Sequence, residues 1–250
     1  MTHNRRAPRT ARREFVRSCA GLMAMGLRSR ARAGELGPGK SYARTRLVDE
    51  HGRPFKVDSL RVGETYIFHY PFVATPCFLI NFTKAVTADG PLKTVSGEEY
   101  HWPGGAGPRQ TVVAFSAICA HKMSHPAKSV SFINYRPEEI SYMNKKHEPA
   151  EGSKLIYCCS ERSVYDPRHG ARVLGGPARQ PLAAIGLEYD PGTDSLTATG
   201  TYGGEMFDQY FAKFTNRLQL EYRTMNVHDA VGGTTLVQTI EDFTRTQILC

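Results

Sequence analysis

Two short cysteine-containing motifs, separated by 36 residues, constrain the fold of this 250-residue chain more than any other feature. The first motif is Cys119-Ala120-His121. The second begins at Cys158-Cys159 and continues through Ser163-Val164-Tyr165-Asp166 to a Gly176-Pro177-Ala178 turn. Thiolate and imidazole groups bind zinc, iron and iron–sulfur clusters. If both motifs serve one inorganic centre, the fold must bring together two loops that are distant in the sequence.

Short apolar segments between Gly and Pro turns predict the scaffold for these loops. Strand-like segments precede and follow the motifs at 60–68, 78–82, 111–115, 155–157, 182–187 and 195–201. Short strands with such connections are typical of antiparallel β sandwiches and small barrels. We therefore predict an all-β fold. Residues 34–58 are polar and contain Gly and Pro, and we interpret them as an extended lead-in.

Three further segments carry their own expectations. Residues 134–154 are polar and charged, so we predict a surface loop, with a partner-docking insertion as the alternative. Residues 205–222 place aromatic and leucine side chains at helical spacing on one face, which predicts an amphipathic helix. That helix either covers the core of its own chain or docks on another subunit. The remainder to Cys250 is interpreted as an arm, with no role assigned to Cys250 itself.

The basic charge of the chain is concentrated at its amino end. Residues 1–33 hold nine of the 32 Lys and Arg residues and one of the 24 Asp and Glu residues, which leaves 23 of each sign elsewhere. The net charge of +8 is therefore no argument for nucleic acid binding. Residues 10–17 resemble a twin-arginine export signal, and a weakly apolar stretch and Ala31-Arg32-Ala33 follow. We predict a signal peptide over 1–33 and a periplasmic protein, with a disordered basic tail as the alternative.

Taken together, the motifs resemble the two cluster-binding loops of Rieske [2Fe–2S] proteins. The upstream segments Phe68-His69-Tyr70-Pro71, Thr75-Pro76-Cys77 and 112–121 are similar to the small, Rieske subunit of arsenite oxidase. The resemblance covers roughly residues 56–200. It implies a Rieske-type antiparallel sandwich or barrel over 59–203, with a small cluster-binding subdomain at 119–125 and 158–178. Residues 204–250 then form a C-terminal extension with a helix.

The resemblance also implies a set of ligands. Two Cys bind one iron of a Rieske cluster and two His bind the other, which assigns Cys119, His121 and Cys158 as ligands. Glu161 stands where the family has its second His, so the second motif is altered. Family members also use a Ser and a Tyr to donate hydrogen bonds to a cluster sulfide and a ligand sulfur. The matching residues are Ser163 and Tyr165, and the turn at Gly176 and Pro177 covers the cluster.

The altered position leaves several interpretations open. Glu161 could bind iron as a carboxylate, which adds negative charge and lowers the potential. A nearby Cys159, His125 or His169 could replace it. The cluster could be absent, or the site could hold another metal such as zinc. In addition, Ser124 and Ser160 stand where high-potential Rieske proteins carry a disulfide that joins the two loops.

These expectations define three candidate functions. The first is an exported electron-transfer subunit that passes electrons from a larger, molybdenum-type oxidoreductase subunit to a cytochrome-type acceptor. The second is the Rieske subunit of a quinol-oxidising bc-type complex. The third is a cluster-free structural subunit that keeps the fold. In the first, the protein does no bond chemistry of its own, and peripheral membrane association is left open.

Overall fold

The computed structural model describes Met1 and residues 39–250, so the predicted signal peptide lies outside the described residues. In that part of the chain, sixteen strands are present: β1 (Gly39–Val48), β2 (Thr65–His69), β3 (Pro76–Asn81), β4 (Leu92–Lys93), β5 (Glu99–Tyr100), β6 (Val112–Ser116), β7 (Ile133–Arg136), β8 (Ile140–Met143), β9 (Pro149–Gly152), β10 (Leu155–Cys158), β11 (Ser163–Asp166), β12 (Arg172–Gly175), β13 (Ala184–Asp190), β14 (Ser195–Tyr202), β15 (Thr234–Leu236) and β16 (Gln238–Thr239). Two α-helices accompany them, α1 (Phe207–Tyr222) and α2 (Ile240–Phe243), with short 3₁₀ helices at Val57–Ser59 and Pro167–His169. The predicted all-β class is confirmed.

The main sheet has eight strands in the order β15-β1-β14-β13-β6-β3-β2-β16. All of its pairs are antiparallel except β1 with β15. The two outermost strands are separated in sequence by Val237 alone, whose N–H donates to the carbonyl of Val48 at 2.8 Å. One short segment therefore lies along both edges of the sheet, and this gives a nearly closed barrel.

The central strands of this sheet are buried on both faces. Tyr66 and Phe68 of β2 pack on one core cluster, whereas Ile67 between them packs on the other. Side chains alternate between faces along a strand, so a strand with two buried faces needs a continuous apolar run. That explains why β2, β3 and β6 are visible in the sequence as short apolar blocks.

A second, smaller sheet carries the second motif. Its four strands lie in the order β12-β11-β10-β7, and the β10–β11 hairpin presents residues 159–162 at its tip. Apolar side chains of this sheet, including Ile156 and Tyr165, pack in the same core cluster as Phe115 of the main sheet. The two sheets thus share a core from which both motifs emerge.

Two polar segments are more structured than the sequence predicts. The expected surface loop at 134–154 is wrong, because β7 pairs with β10, and β8 pairs with β9 in a separate hairpin. Likewise, the expected lead-in at 34–58 contains the ten-residue strand β1, which pairs with β14 at residues 39–41 and 45–46. Both segments have many exposed polar side chains, and they are held by backbone pairing that hydrophobic patterning does not reveal.

The C-terminal residues fold onto their own chain. Helix α1 buries Phe207, Tyr210, Phe211 and Leu218. These side chains pack with Ile118, the residue directly before the first motif. The expectation that the helix covers the core of its own chain is confirmed. The arm expected beyond it does not extend outward but supplies β15, β16 and α2. Among the described residues, no helix has the length and apolar character needed to cross a bilayer.

Candidate metal centre

The first motif forms a tight turn directly after strand β6. The N–H of Cys119 donates to the carbonyl of Ser124 at 2.8 Å, and the N–H of Met123 donates back to the carbonyl of Cys119 at 3.0 Å. These paired bonds close the turn over residues 119–124. Cys119 is fully buried at its base, whereas the side chain of His121 is 30% exposed at its outer end. The turn therefore directs the Cys119 thiol into the core and the outer end of the His121 ring toward the surface.

The second motif is the tip of the β10–β11 hairpin. Cys158 pairs with Ser163 across the hairpin, and the N–H of Glu161 donates to the carbonyl of Cys158 at 3.2 Å. Gly176 packs directly beneath this tip at φ +77°, and a Cβ there would lie 2.1 Å from the carbonyl oxygen of Arg162. Only glycine fits that approach. In the structure, Gly176 packs against the second loop. The expectation that the Gly176-Pro177 turn covers a cluster stays a prediction.

The two tips meet through two pairs of side chains. Cys119 and Cys158 are both buried and belong to the same core cluster, and each thiol shifts the pKa of the other. Nδ1 of His121 lies 2.9 Å from Oε2 of Glu161. Cys119 and His121 come from the main sheet, whereas Cys158 and Glu161 come from the smaller one. The two distant loops do converge, since His121 of the first contacts Glu161 of the second, while the role of these residues as metal ligands stays a prediction.

Tyr165 makes a bridge between the two loops. Its hydroxyl oxygen accepts the N–H of Ala120 at 3.1 Å and lies 3.2 Å from Sγ of Cys119. With the oxygen already accepting, the hydroxyl hydrogen is free to donate to the sulfur. Tyr165 is fully buried, and burial is the largest reason why the pKa of its phenol lies well above its usual range. The phenol is therefore a permanent donor to Cys119.

Ser163 has a buried hydroxyl without a partner. Its Oγ is among the few buried side-chain polar atoms in the described part of the chain that make no hydrogen bond. An orphaned buried hydroxyl costs about 1–3 kcal/mol, and it often marks a place where a bound group supplies the missing partner. A cluster held by these loops would supply such an acceptor. The serine donor expected from the sequence is thus buried beside Cys119, whose pKa it helps to lower.

The environment of the two cysteines favours the thiolate form of Cys119 over that of Cys158. The hydrogen bond with Cys158 is the largest cause that lowers the pKa of Cys119, to about 6, and the hydrogen bond from Tyr165 adds to it. The same contact, together with burial, raises the pKa of Cys158. Thiolate is the form that binds metals, so one ligand is already prepared in the protein without metal.

The described residues contain no cluster of ligands for a single metal ion. Within residues 39–250, no three His, Cys, Asp or Glu side chains gather around one point as a mononuclear site requires. Zinc in structural sites takes four such ligands around one ion. Two adjacent pairs, one of thiols and one of imidazole with carboxylate, match the division of ligands between the two irons of a Rieske-type cluster. The residues present therefore fit a [2Fe–2S] group, with Glu161 in the place of one imidazole.

Three residues that could have replaced Glu161 are engaged elsewhere. Cys159 forms a disulfide with Cys250. Nδ1 of His125 donates to the carbonyl of Met123 at 2.9 Å. Nδ1 of His169 lies 2.8 Å from Oδ2 of Asp166, with which it pairs. Nε2 of His125 is buried without a partner, but among these residues it is Glu161 that contacts His121, and its role as the fourth ligand stays a prediction.

Glu161 itself is enclosed and faces positive charge. Its side chain is 12% exposed, and Nζ of Lys122 lies 3.9 Å from Oε2 in addition to the contact with His121. A carboxylate this enclosed needs a cationic partner or a metal. Either a protonated His121 or an iron atom would meet that need.

The disulfide is the feature of this site that the sequence did not predict. Cys159 and Cys250 are 91 residues apart, and no spacing rule joins two such cysteines. The available signal was that neither residue has a counterpart in the Rieske pattern. Ser124 and Ser160 provide no covalent link between the loops, so the second loop is tied to the C-terminal end instead of to the first loop.

Comparison with solved structures finds eleven matching chains. The chain is similar to the crystal structure of the soluble domain of the Rieske protein II (soxF) from Sulfolobus acidocaldarius, with 24% sequence identity and a TM-score of 0.43 over 66% of this chain and 82% of that chain. No protein-family model matches the chain. We base the function proposed below on the chain's own motifs and geometry.

Proposed function

We propose that this protein is a Rieske-type iron–sulfur electron-transfer subunit. Cys119 and Cys158 would hold one iron of a [2Fe–2S] cluster, and His121 and Glu161 the other. When bound, the cluster supplies one-electron redox chemistry. The observation that carries the proposal is the meeting of two ligand pairs from two separate loops. The unpartnered hydroxyl of Ser163 supports it independently.

The surrounding residues would set the potential. Hydrogen bonds donated to cluster sulfur favour the reduced, more negative state and raise the potential. Tyr165 is placed to donate to Sγ of Cys119, and Ser163 is available to donate to a sulfide. Glu161 acts in the opposite direction, because a carboxylate brings a negative charge that imidazole does not. We therefore infer a potential below that of a Rieske protein with two His ligands.

The exposed side of His121 provides the route for electrons. The thiols are fully buried, whereas the His121 side chain is 30% exposed, so a redox partner could approach the centre most closely at this residue. We propose a larger, molybdenum-type oxidoreductase subunit as donor and a cytochrome-type carrier as acceptor, by the resemblance to the arsenite oxidase small subunit. Twin-arginine export to the periplasm and peripheral membrane association belong to the same proposal, and fractionation of the producing cells tests both.

The direct test is iron and sulfide quantitation on protein purified without oxygen. We expect two irons per chain in the intact protein, visible absorption, and a rhombic electron spin resonance signal after reduction. Cys119→Ser and Cys158→Ser should each lose the iron. Cys77→Ser is the matched control, because Cys77 is also a buried free cysteine but donates its thiol to the carbonyl of Tyr70. Folded, colourless and iron-free wild-type protein would contradict the proposal.

One observation favours a second candidate, the cluster-free structural subunit. The 2.9 Å contact between His121 and Glu161 can satisfy both side chains as an ion pair without metal. The same iron measurement separates the two candidates. Ser163 and Tyr165 would also suit the bc-type alternative, and reduction of the iron-containing protein by a quinol would identify that function.

A further inference from the structure

The disulfide between Cys159 and Cys250 lies directly beside the candidate centre. Cys159 follows the ligand Cys158 and precedes Glu161 by two residues, at the tip of the second loop. The bond joins that tip to residues 244–250, which we name the C-terminal strap. A restraint at this point acts on two of the four candidate ligands at once.

The C-terminal strap is itself attached to the body of the protein. Its backbone runs beside residues 128–134, which connect the first motif to β7. The N–H of Ser131 donates to the carbonyl of Thr246 at 2.8 Å, and the N–H of Ile248 donates to the carbonyl of Ser131 at 2.8 Å. The Asn134 side chain also donates to the carbonyl of Ile248, at 3.0 Å. The disulfide therefore links the second loop to the segment that leaves the first loop.

Other restraints on the second tip are few. The N–H of Cys159 donates to the carbonyl of Phe132 at 2.7 Å, and Ser160 and Arg162 are exposed at the turn. In the described residues, the disulfide is the only covalent bond between this tip and the rest of the chain besides the backbone. Without it, the tip would be held by hydrogen bonds that solvent can compete for.

The disulfide can also be reached from solvent. Cys250 is exposed and Cys159 is partly exposed, so a dithiol reductant can approach the sulfur atoms. A thiolate of the dithiol would attack one sulfur, break the S–S bond and form a mixed disulfide. The second thiol of the reductant would then displace the remaining Cys. Two electrons and two protons pass to Cys159 and Cys250, and the dithiol becomes a cyclic disulfide.

We propose that the Cys159–Cys250 disulfide is a thiol-exchange site that positions Cys158 and Glu161. Its reduction by a dithiol makes the second loop open more often, so that the loop holds the centre less tightly. The proposal rests on the proposed function where it concerns iron. It assigns the two cysteines a positioning role and not a role as ligands.

The first test measures the release of iron to a ferrous chelator without oxygen. We expect release to be about tenfold faster in Cys250→Ser than in wild type, because local opening of the loop becomes more frequent. Dithiothreitol should speed release from wild type by the same factor and have no further effect on Cys250→Ser. The double variant with Cys159→Ser should match the single one, because either change removes the same bond. Equal release rates in all five samples would overturn the proposal.

The second test does not depend on iron and uses the metal-free chain. Amide hydrogen exchange at residues 159–162 should become about tenfold faster in Cys250→Ser or after dithiothreitol, with β2 and β3 unchanged. Reduction of folded wild-type protein covers the case in which the variant does not fold. Unchanged exchange at 159–162 would refute the positioning role. An iron-free protein that shows faster exchange would refute the proposed function but support the restraint by the disulfide.

Discussion

Replacing Glu161 by His tests the fourth ligand most sharply. The carboxylate lies 2.9 Å from Nδ1 of His121 and is 12% exposed, so an imidazole at this position would enter the same enclosed space. The Glu161→His variant recreates the Cys₂His₂ ligand set that the Rieske resemblance implies. The cluster would lose one negative charge, and its reduced state would become easier to reach.

The size of the change follows from the charge of the ligand. Exchange of two thiolates for two imidazoles separates potentials of about −400 mV from those of about −150 to +300 mV, or roughly 125–350 mV for each anionic ligand. Lys122, whose Nζ lies 3.9 Å from the carboxylate, already offsets part of the negative charge. We therefore expect Glu161→His to raise the midpoint potential by roughly 100–300 mV.

A redox titration followed by electron spin resonance measures this shift. Glu151→His is the matched control, because Glu151 is an exposed carboxylate on β9 and its replacement should leave the potential within about 20 mV. An unchanged or lower potential in Glu161→His would show that Glu161 does not bind iron. A cluster that forms only in Glu161→His would show that the wild-type site is closed by the ion pair and holds none.

Three further predictions concern the surroundings of the site. Tyr165→Phe removes the donor 3.2 Å from Sγ of Cys119 and should lower the potential by roughly 40–60 mV, about 1 kcal/mol for one electron; a redox titration that finds no decrease would contradict the donor role. Burial lowers the pKa of His125 to about 4, below its value in the unfolded chain, so the free energy of unfolding should fall as pH drops from about 6.5 to 4, by up to about 3 kcal/mol. Urea denaturation across that range should show a smaller fall in His125→Phe, and identical pH profiles would exclude this histidine as the cause. Phe211→Ala should lower the free energy of unfolding, measured in urea, by about 3–5 kcal/mol, because the ring is buried in the cluster beside Ile118. Leu220→Ala, at an 82% exposed position of the same helix, should change it by less than about 0.5 kcal/mol. Equal losses in the two variants would contradict the packing of α1.

Features with a strong periodic pattern were predictable from the sequence. The apolar blocks of β2, β3 and β6 mark strands buried on both faces, and the aromatic spacing over 205–222 marks helix α1. The convergence of the two motifs was also predictable. A metal centre needs several Cys and His ligands, and each motif alone supplies only part of such a set. In these cases local chemistry and global fold give the same answer.

Features that depend on distant partners were not predictable. The first residues of β1 are polar and exposed, so its pairing with β14 leaves no hydrophobic period. Strand β7 is positioned by backbone hydrogen bonds with β10. Its polar residues led to the prediction of a loop. The Cys159–Cys250 bond joins residues that only the complete fold brings near each other. Sequence periodicity reports burial along a segment, whereas β1 begins with exposed residues and β7, although buried, is only four residues long.

The residues that support the centre come last in the chain. Helix α1 packs behind the first loop, and the C-terminal strap is bonded to the second, yet both loops precede them in sequence. Because the ribosome synthesises protein from the amino to the carboxyl end, each loop leaves the ribosome before its support exists. An iron–sulfur group held by both loops would consequently gain its full support only after residues 207–250 have been synthesised.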